Sequence, residues 1–411
     1  MNELHYRTFG AAILFASAMF TCSAEAKEAA GQTEIETALK ASKPLFDVRL
    51  RYETVDQDGF ADSAEALTYR LRAGLETSTA FETSFLIEFE HVDTLVDDYN
   101  STINGKTGFP VIPDPRGTEL NRFQITNTSL QGTKATLGRQ RIVLDDSRFV
   151  GNVGFRQNEQ TFDAIRFQNT SFGQLALDVT YLNQVNRIFG DESSAGRWHG
   201  DSYLLNASHP TPLGKLAAFA YLVDVDENGG SNASQTLGAR LSGNRALKGG
   251  KFEYAASIAK QEDYGSSNIE YSAEYYSAEA KYVSEYFSLG LGLEVLGGSE
   301  QRGFQTPLAT LHKFQGWADK FLSTPAAGVE DVYALAGYSA GDVGPLTGLK
   351  LLAVYHDFSA ESGGGHHGDE IDLLATAKWR KVNLSVKYAN YNADEFASDT
   401  RKVWLEVGYA F

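Results

Sequence analysis

Two short stretches carry the residues best suited to chemistry. In Asp47-Val-Arg-Leu-Arg-Tyr-Glu53, Arg49 and Arg51 alternate with Val48, Leu50 and Tyr52, and further on Arg70 and Arg72 alternate with Tyr69, Leu71 and Ala73. A period of two places the four guanidiniums on one face of extended strands and the apolar residues on the other. A guanidinium stays charged at any ordinary pH, and its planar fork donates two parallel hydrogen bonds to a carboxylate. A row of them can therefore pass an anionic solute from station to station. The same alternation puts Arg122, Arg166, Arg240, Lys350, Lys378 and Lys387 on the polar face, together with Glu88 and Asp372. Pairing between such residues across neighbouring strands, Arg72 with Glu88 for example, would instead hold the shape of a wall, and both readings stand at this point.

Two longer polar segments could narrow the space the strands enclose. Residues 142–160 combine Asp145, Asp146, Arg148 and Arg156 with Gly151 and Gly154, a composition suited to a loop folded back and tied down by ion pairs; Arg139 and Arg141 stand at its threshold. Residues 297–329 hold Arg302, His312, Trp317, Asp319 and Lys320, where Trp317 reads as an anchor for the loop ahead of a platform for a sugar ring. Catalytic chemistry is not expected. The 8 histidines are scattered, and the one cysteine, Cys22, falls in a segment that reads as a removable leader, which excludes disulfides and thiolate sites from the remainder. No metal, no cofactor and no nucleic acid are expected.

The elements that must position these residues are strands. Arg7 precedes an apolar run from Phe9 to Phe20, and Ala24-Glu25-Ala26 offers small residues at the two positions a signal peptidase reads, so residues 1–26 read as an export signal too short to span a bilayer. Residues 27–45 read as a periplasmic segment and 46–411 as one barrel. Over that span, period-two alternation predicts 18 strands of about 9 to 13 residues. Connections after even-numbered strands are tight, whereas those after odd-numbered strands lengthen to 25 residues at 93–117, 19 at 142–160 and 33 at 297–329. Short turns at one end and long loops at the other are the pattern of an antiparallel up-and-down transmembrane β-barrel. The last strand agrees, since Val403, Leu405, Val407, Tyr409 and Phe411 share one face and the chain ends on an aromatic residue. With 39 glycines, 9 prolines and 12% aromatic residues, the composition suits many strands and turns. The formal net charge is −17 while the inward set is near balance, so the acid excess lies outside the lumen.

Two segments also resemble a known family. Gly138-Arg-Gln-Arg-Ile-Val-Leu-Asp-Asp-Ser-Arg-Phe-Val-Gly-Asn-Val-Gly-Phe-Arg-Gln-Asn-Glu-Gln-Thr-Phe-Asp163, and Phe304 to Pro325 followed by Gly328-Val-Glu-Asp-Val-Tyr333, are similar to segments of the alginate export porins. The resemblance implies a monomeric 18-stranded barrel in the Gram-negative outer membrane. It would be delivered by the barrel assembly machinery, lie in contact with lipid and lipopolysaccharide, and pass an anionic uronate-type polysaccharide or oligosaccharide. One departure stands out: exporters of that family carry a long periplasmic loop near the C-terminal end, whereas here the turn from Trp379 to Val382 is nearly absent. An uncovered bore fits a passive porin for small anionic or sugar-like solutes at least as well. A barrel with a closed lumen that binds partners through its outer loops is the alternative of another class.

Overall fold

The computed structural model describes residues 25–411. The export signal therefore falls almost wholly outside the described residues. Helix α1 (Glu25–Lys40) precedes the strands β1 (Lys43–Gln57), β2 (Ala64–Glu76), β3 (Thr83–Asp98), β4 (Gly117–Asn127), β5 (Thr133–Gln140), β6 (Thr161–Phe172), β7 (Leu175–Asn186), β8 (Arg197–Thr211), β9 (Gly214–Val223), β10 (Ser234–Leu247), β11 (Gly250–Asp263), β12 (Ser272–Ser284), β13 (Phe287–Leu296), β14 (Val329–Val343), β15 (Leu346–Ser359), β16 (His366–Trp379), β17 (Val382–Ala393) and β18 (Thr400–Ala410). Each strand pairs antiparallel with its sequence neighbours, and β1 pairs with β18 over Asp47↔Ala410 to Gln57↔Thr400, so the 18-stranded sheet closes on itself. The expected strand count and topology are those of the structure. Strands generally run longer than the alternation suggested; β3, for instance, continues to Asp98 and takes residues 93–98 from the expected loop.

Closure leaves two faces with different solvents. Outward residues such as Leu50, Phe89, Ile125, Phe167, Ile258, Leu291 and Leu405 remain exposed around the barrel. An apolar surface that runs around the whole molecule would drive aggregation in water, and it is the band a membrane covers. At the turn end every tight connection, with the strand ends beside it, carries an exposed apolar residue: Phe81, Leu130, Phe172, Leu213, Leu247, Tyr286, Val343 and Trp379, with Phe411 beside them. This ring marks one boundary of the band. Phe411 also closes the seam, because its amide donates to the Phe46 carbonyl (3.0 Å), its carbonyl accepts from the Phe46 amide (3.4 Å), and the two rings lie 5.4 Å apart.

The long connections all lie at the opposite end. Two of them, 141–160 and 297–328, fold into the lumen and supply much of its packing: Phe149 meets Phe219, Tyr221, Tyr275 and Phe304, while Phe321 packs on Phe358, Tyr391 and Phe396.

A closed barrel of this kind is expected to migrate faster on a detergent gel unboiled than boiled and to give a strand-rich circular dichroism spectrum; a helix-dominated spectrum would contradict the fold. Deleting Phe411 removes two backbone hydrogen bonds and a ring contact from the seam, about 1 to 3 kcal/mol, and should lower the unboiled, fast-migrating fraction while leaving the amount of exported chain unchanged.

Candidate functional site

The four arginines that the alternation singles out do project into the lumen, on β1 and β2. Their partners are mostly one loop. Arg49 donates to the carbonyls of Gly154 (3.0 Å), Phe155 (2.9 Å) and Arg156 (3.1 Å), and Arg51 donates to the Phe155 carbonyl and to Glu406 on β18 (2.6 Å). Arg70 pairs with Asp47 and reaches the Gln157 carbonyl (3.5 Å). Arg72 pairs with Glu90, with Glu159 at 3.6 Å, and not with Glu88. Glu88 is taken instead by Arg122 (2.8 Å), Asn121 (2.8 Å) and Arg141 (3.3 Å). From the loop itself, Arg156 points back to Glu53 (2.9 Å) and Asp114 (3.5 Å), and Glu159 accepts from Arg141, Asn121 and Asn152. The run Arg156 to Gln160 is polar at every position and buried at every position. Burial alone would raise the Glu159 carboxyl, but the charges of Arg72 and Arg141 outweigh it and hold the group down to about 2. Burial opposes the Arg156 charge too, and Glu53 and Asp114 overcome it and hold the guanidinium charged.

The same loop crosses to the far wall. Arg148, almost completely buried, donates to Glu294 (2.5 Å), Thr306 (2.8 Å) and Gln315 (3.1 Å). Asp145 meets Lys215 (2.9 Å), and Asp146 meets Arg240 (3.0 Å). The second loop is bonded both to the first and to the wall. Gly151 N–H donates to Leu308 (2.9 Å), Thr310 N–H donates to Ser147 (3.1 Å), and Lys313 donates to the Asp146 carbonyl (2.7 Å). Trp317 N–H donates to Asp372 (3.1 Å) and Ala318 N–H donates to Glu370 (2.7 Å), with the Lys387 ammonium 3.8 Å over the Trp317 ring. Gly316 makes this approach possible, because its φ is +75° and a Cβ there would collide with the Glu370 carboxylate. Trp317 is thus an anchor. Asp319 accepts from His312 (2.8 Å) and Lys402 (3.1 Å). Burial opposes its ionisation, and the His312 and Lys402 contacts more than reverse this, keeping Asp319 ionised.

The remaining expected residues divide three ways. Arg166 lines the lumen but is held by Asp178 (2.5 Å). Lys350 and Lys378 line it on β15 and β16 and form no ion pair among the described residues. With Lys387, Asn383, Ser385, Trp404 and Glu406 they border a concavity of about 500 Å³ beneath Phe155. Arg139 is a correction. It belongs to β5, opposite Phe123 and Asp163, and these sit on the outward parity of Ile125 and Phe167; it is held there by Asp163 (2.7 Å) and the Leu120 carbonyl (3.0 Å). The strand keeps its alternation as far as Gln140, so Arg139 never enters the loop. The sequence reading missed Phe155, Gln157, Glu159 and Trp404, and it named His312 in the second loop without assigning it a contact. The unbroken polar run at 156–160 was the one signal that could have flagged part of this set.

The closed barrel narrowed by loops can be compared with solved structures. The chain is similar to OccAB4 of Acinetobacter baumannii, with a TM-score of 0.69, 12% identity and coverage of 90% of this chain and 98% of that one. It is also similar to OpdO of Pseudomonas aeruginosa (0.70, 13%, 92% and 99%) and to OccK5 (OpdH) of the same organism (0.67, 13%, 91% and 99%). The fold is that of the Occ/Opd outer-membrane porins. No family profile matches the sequence, and no curated protein matches it.

Replacing Arg148 with Ala would leave Glu294 buried without its cation. Breaking a buried pair costs about 3 to 5 kcal/mol, and here the loss falls on loop docking. Protease cleavage within 141–160 should rise and single-channel conductance should increase. Arg139→Ala, on the outer face, should change neither.

Proposed function

We propose that this protein is a non-enzymatic channel of the outer membrane that admits small anionic or sugar-like solutes. One observation carries this reading: loops 141–160 and 297–328 are bonded to each other and to both walls, so the lumen is constricted at the level where a polymer would need a clear bore. The two segments that resemble alginate exporters are these two loops. The resemblance therefore reports how the pore is narrowed and is silent about what passes through it. A turn of two residues between β16 and β17 adds that this connection does not cover the bore from the turn end. The likeness to the Occ/Opd barrels supports a porin for small solutes over a polysaccharide exporter.

Anion preference comes from cations that the scaffold has not used. Arg51 and Arg70 are buried and committed to loop carbonyls and carboxylates. Lys350 and Lys378, by contrast, form no ion pair among the described residues and lie at the turn end, below Lys387. We place this end in the periplasm and the loops outside, against lipopolysaccharide, with the chain working as a monomer delivered by the barrel assembly machinery.

In planar bilayers the channel is expected to prefer anions at low salt. The preference should fade as ionic strength rises and the Debye length shrinks to about 10 Å or less. Replacing Lys350 and Lys378 with Ser should move the reversal potential toward cations with little change in stability, since lumen substitutions chiefly tune selectivity. In liposome swelling, monomeric uronates should enter much faster than long oligouronates. Equal entry of long chains would favour export of a polymer, and an absence of current would favour a closed scaffold.

A further inference from the structure

His312 lies where the two loops, β17 and β18 converge. Its ring is stacked flat on Phe155 (centroids 3.5 Å apart, planes 11° apart) and stands edge-on to Trp404 (5.7 Å, 73°). Both of its nitrogens are engaged: Nδ1 lies 2.8 Å from Asp319 Oδ1, and Nε2 lies 2.6 Å from Lys387 Nζ. The Lys387 ammonium is in turn caged by the rings of Trp317 (3.8 Å) and Phe155 (4.7 Å). One lysine on the wall thus touches both in-folded loops.

The proton count of this contact is constrained. An ammonium has donors and no acceptor, and a doubly protonated imidazole likewise has only donors. A bond between Lys387 Nζ and His312 Nε2 therefore contains a single proton: either the ammonium donates to a neutral ring whose Nδ1–H serves Asp319, or an imidazolium donates to a neutral amine. A second proton turns the bond into two cations facing each other at contact distance. The charged groups packed around it do not absorb that change. Arg156 from the first loop, Arg51 from β1 and Lys402 from β18 are cations already matched by Glu53 and Asp114, by Glu406 and by Asp319 respectively, and Asp372 on β16 faces Lys387 from the wall.

We propose that the His312–Lys387 bond is a proton-released latch that holds the two loops together against the seam wall and lets them part when a second proton arrives. The sign follows from linkage. Burial, the Lys387 charge and Arg156 together outweigh the pull of Asp319 and lower the His312 pKa from its usual 6.5 to about 3 in the closed arrangement. An undocked ring would titrate near its ordinary value. The latch is therefore at full strength above about pH 6.5 and weakens as pH falls from there toward 3, by up to about tenfold in the closed-to-open ratio per pH unit. This concerns the loops, whatever solute passes between them.

The test is single-channel recording at pH 7.5, 5.5 and 4.5, combined with hydrogen exchange over residues 305–320 corrected for the intrinsic effect of pH. Unboiled gel migration confirms that each variant is folded. The wild type should show longer or larger openings and faster exchange as the pH falls. His312→Gln keeps an acceptor for Lys387 but cannot titrate, so it should behave like the wild type at pH 7.5 and stay there in acid. Lys387→Met keeps the apolar stem against the rings and removes the second cation but not the burial of the ring, so its response to acid should be smaller than the wild type's. A wild type whose openings and exchange do not change with pH overturns the latch, and so does an acid response that survives in His312→Gln. Acid-accelerated exchange in a wild type that passes no current would support the latch while refuting the channel.

Discussion

A bilayer offers no water to an unpaired backbone amide, and that constraint determines the shape of this molecule. Every strand must find two partners, so the sheet has to close and its last strand has to meet its first. Once closed, the period-two pleat leaves no choice of face: alternate residues meet lipid and the rest meet the lumen. The interior of an 18-stranded barrel is too wide for wall side chains to fill, as the tapering cores of smaller barrels can. Here the space is taken by two connections turned inward, and the inward charges serve first to hold them.

This explains why the lumen is charged and yet largely spoken for. A loop brought into a barrel carries carbonyls and amides that have lost water, and each needs a partner. Arg49 meets three consecutive carbonyls at once, while Asp372 and Glu370 receive amides from the other loop. Guanidiniums and carboxylates suit the work because each offers several hydrogen-bonding positions from one side chain. Among the described residues, Lys350 and Lys378 are inward cations that loop docking leaves without an ion pair.

Much of the fold was legible because its two signals are local. Alternation along a strand and the length of the next connection can be read without knowing what lies opposite, and together they yielded the strand count, the topology and the inward set on β1 and β2. The partners were not legible. Arg49 and Gly154 lie 105 residues apart, and the acceptor is a backbone carbonyl, which no residue type announces. Arg72 was matched with Glu88 on proximity of strands, but it meets Glu90 because β2 and β3 run in the register Arg72↔Glu90. Arg139 was misplaced because it was grouped with the loop for its nearness to it, whereas it still belongs to β5 and takes the outward face there, and one residue of parity decides between lumen and lipid.

The position of Arg51 ties the seam to the constriction. It joins three parts of the chain that are distant in sequence: its own strand at the start, the carbonyl of Phe155 in the middle, and Glu406 five residues before the last. Asp114, from the connection between β3 and β4, stands 3.6 Å from the same guanidinium, so the buried charge is balanced from two sides. Parting β18 from β1 would open the sheet and take one of those two carboxylates from the arginine that holds the inward loop, so a defect in the wall is also felt in the width of the passage.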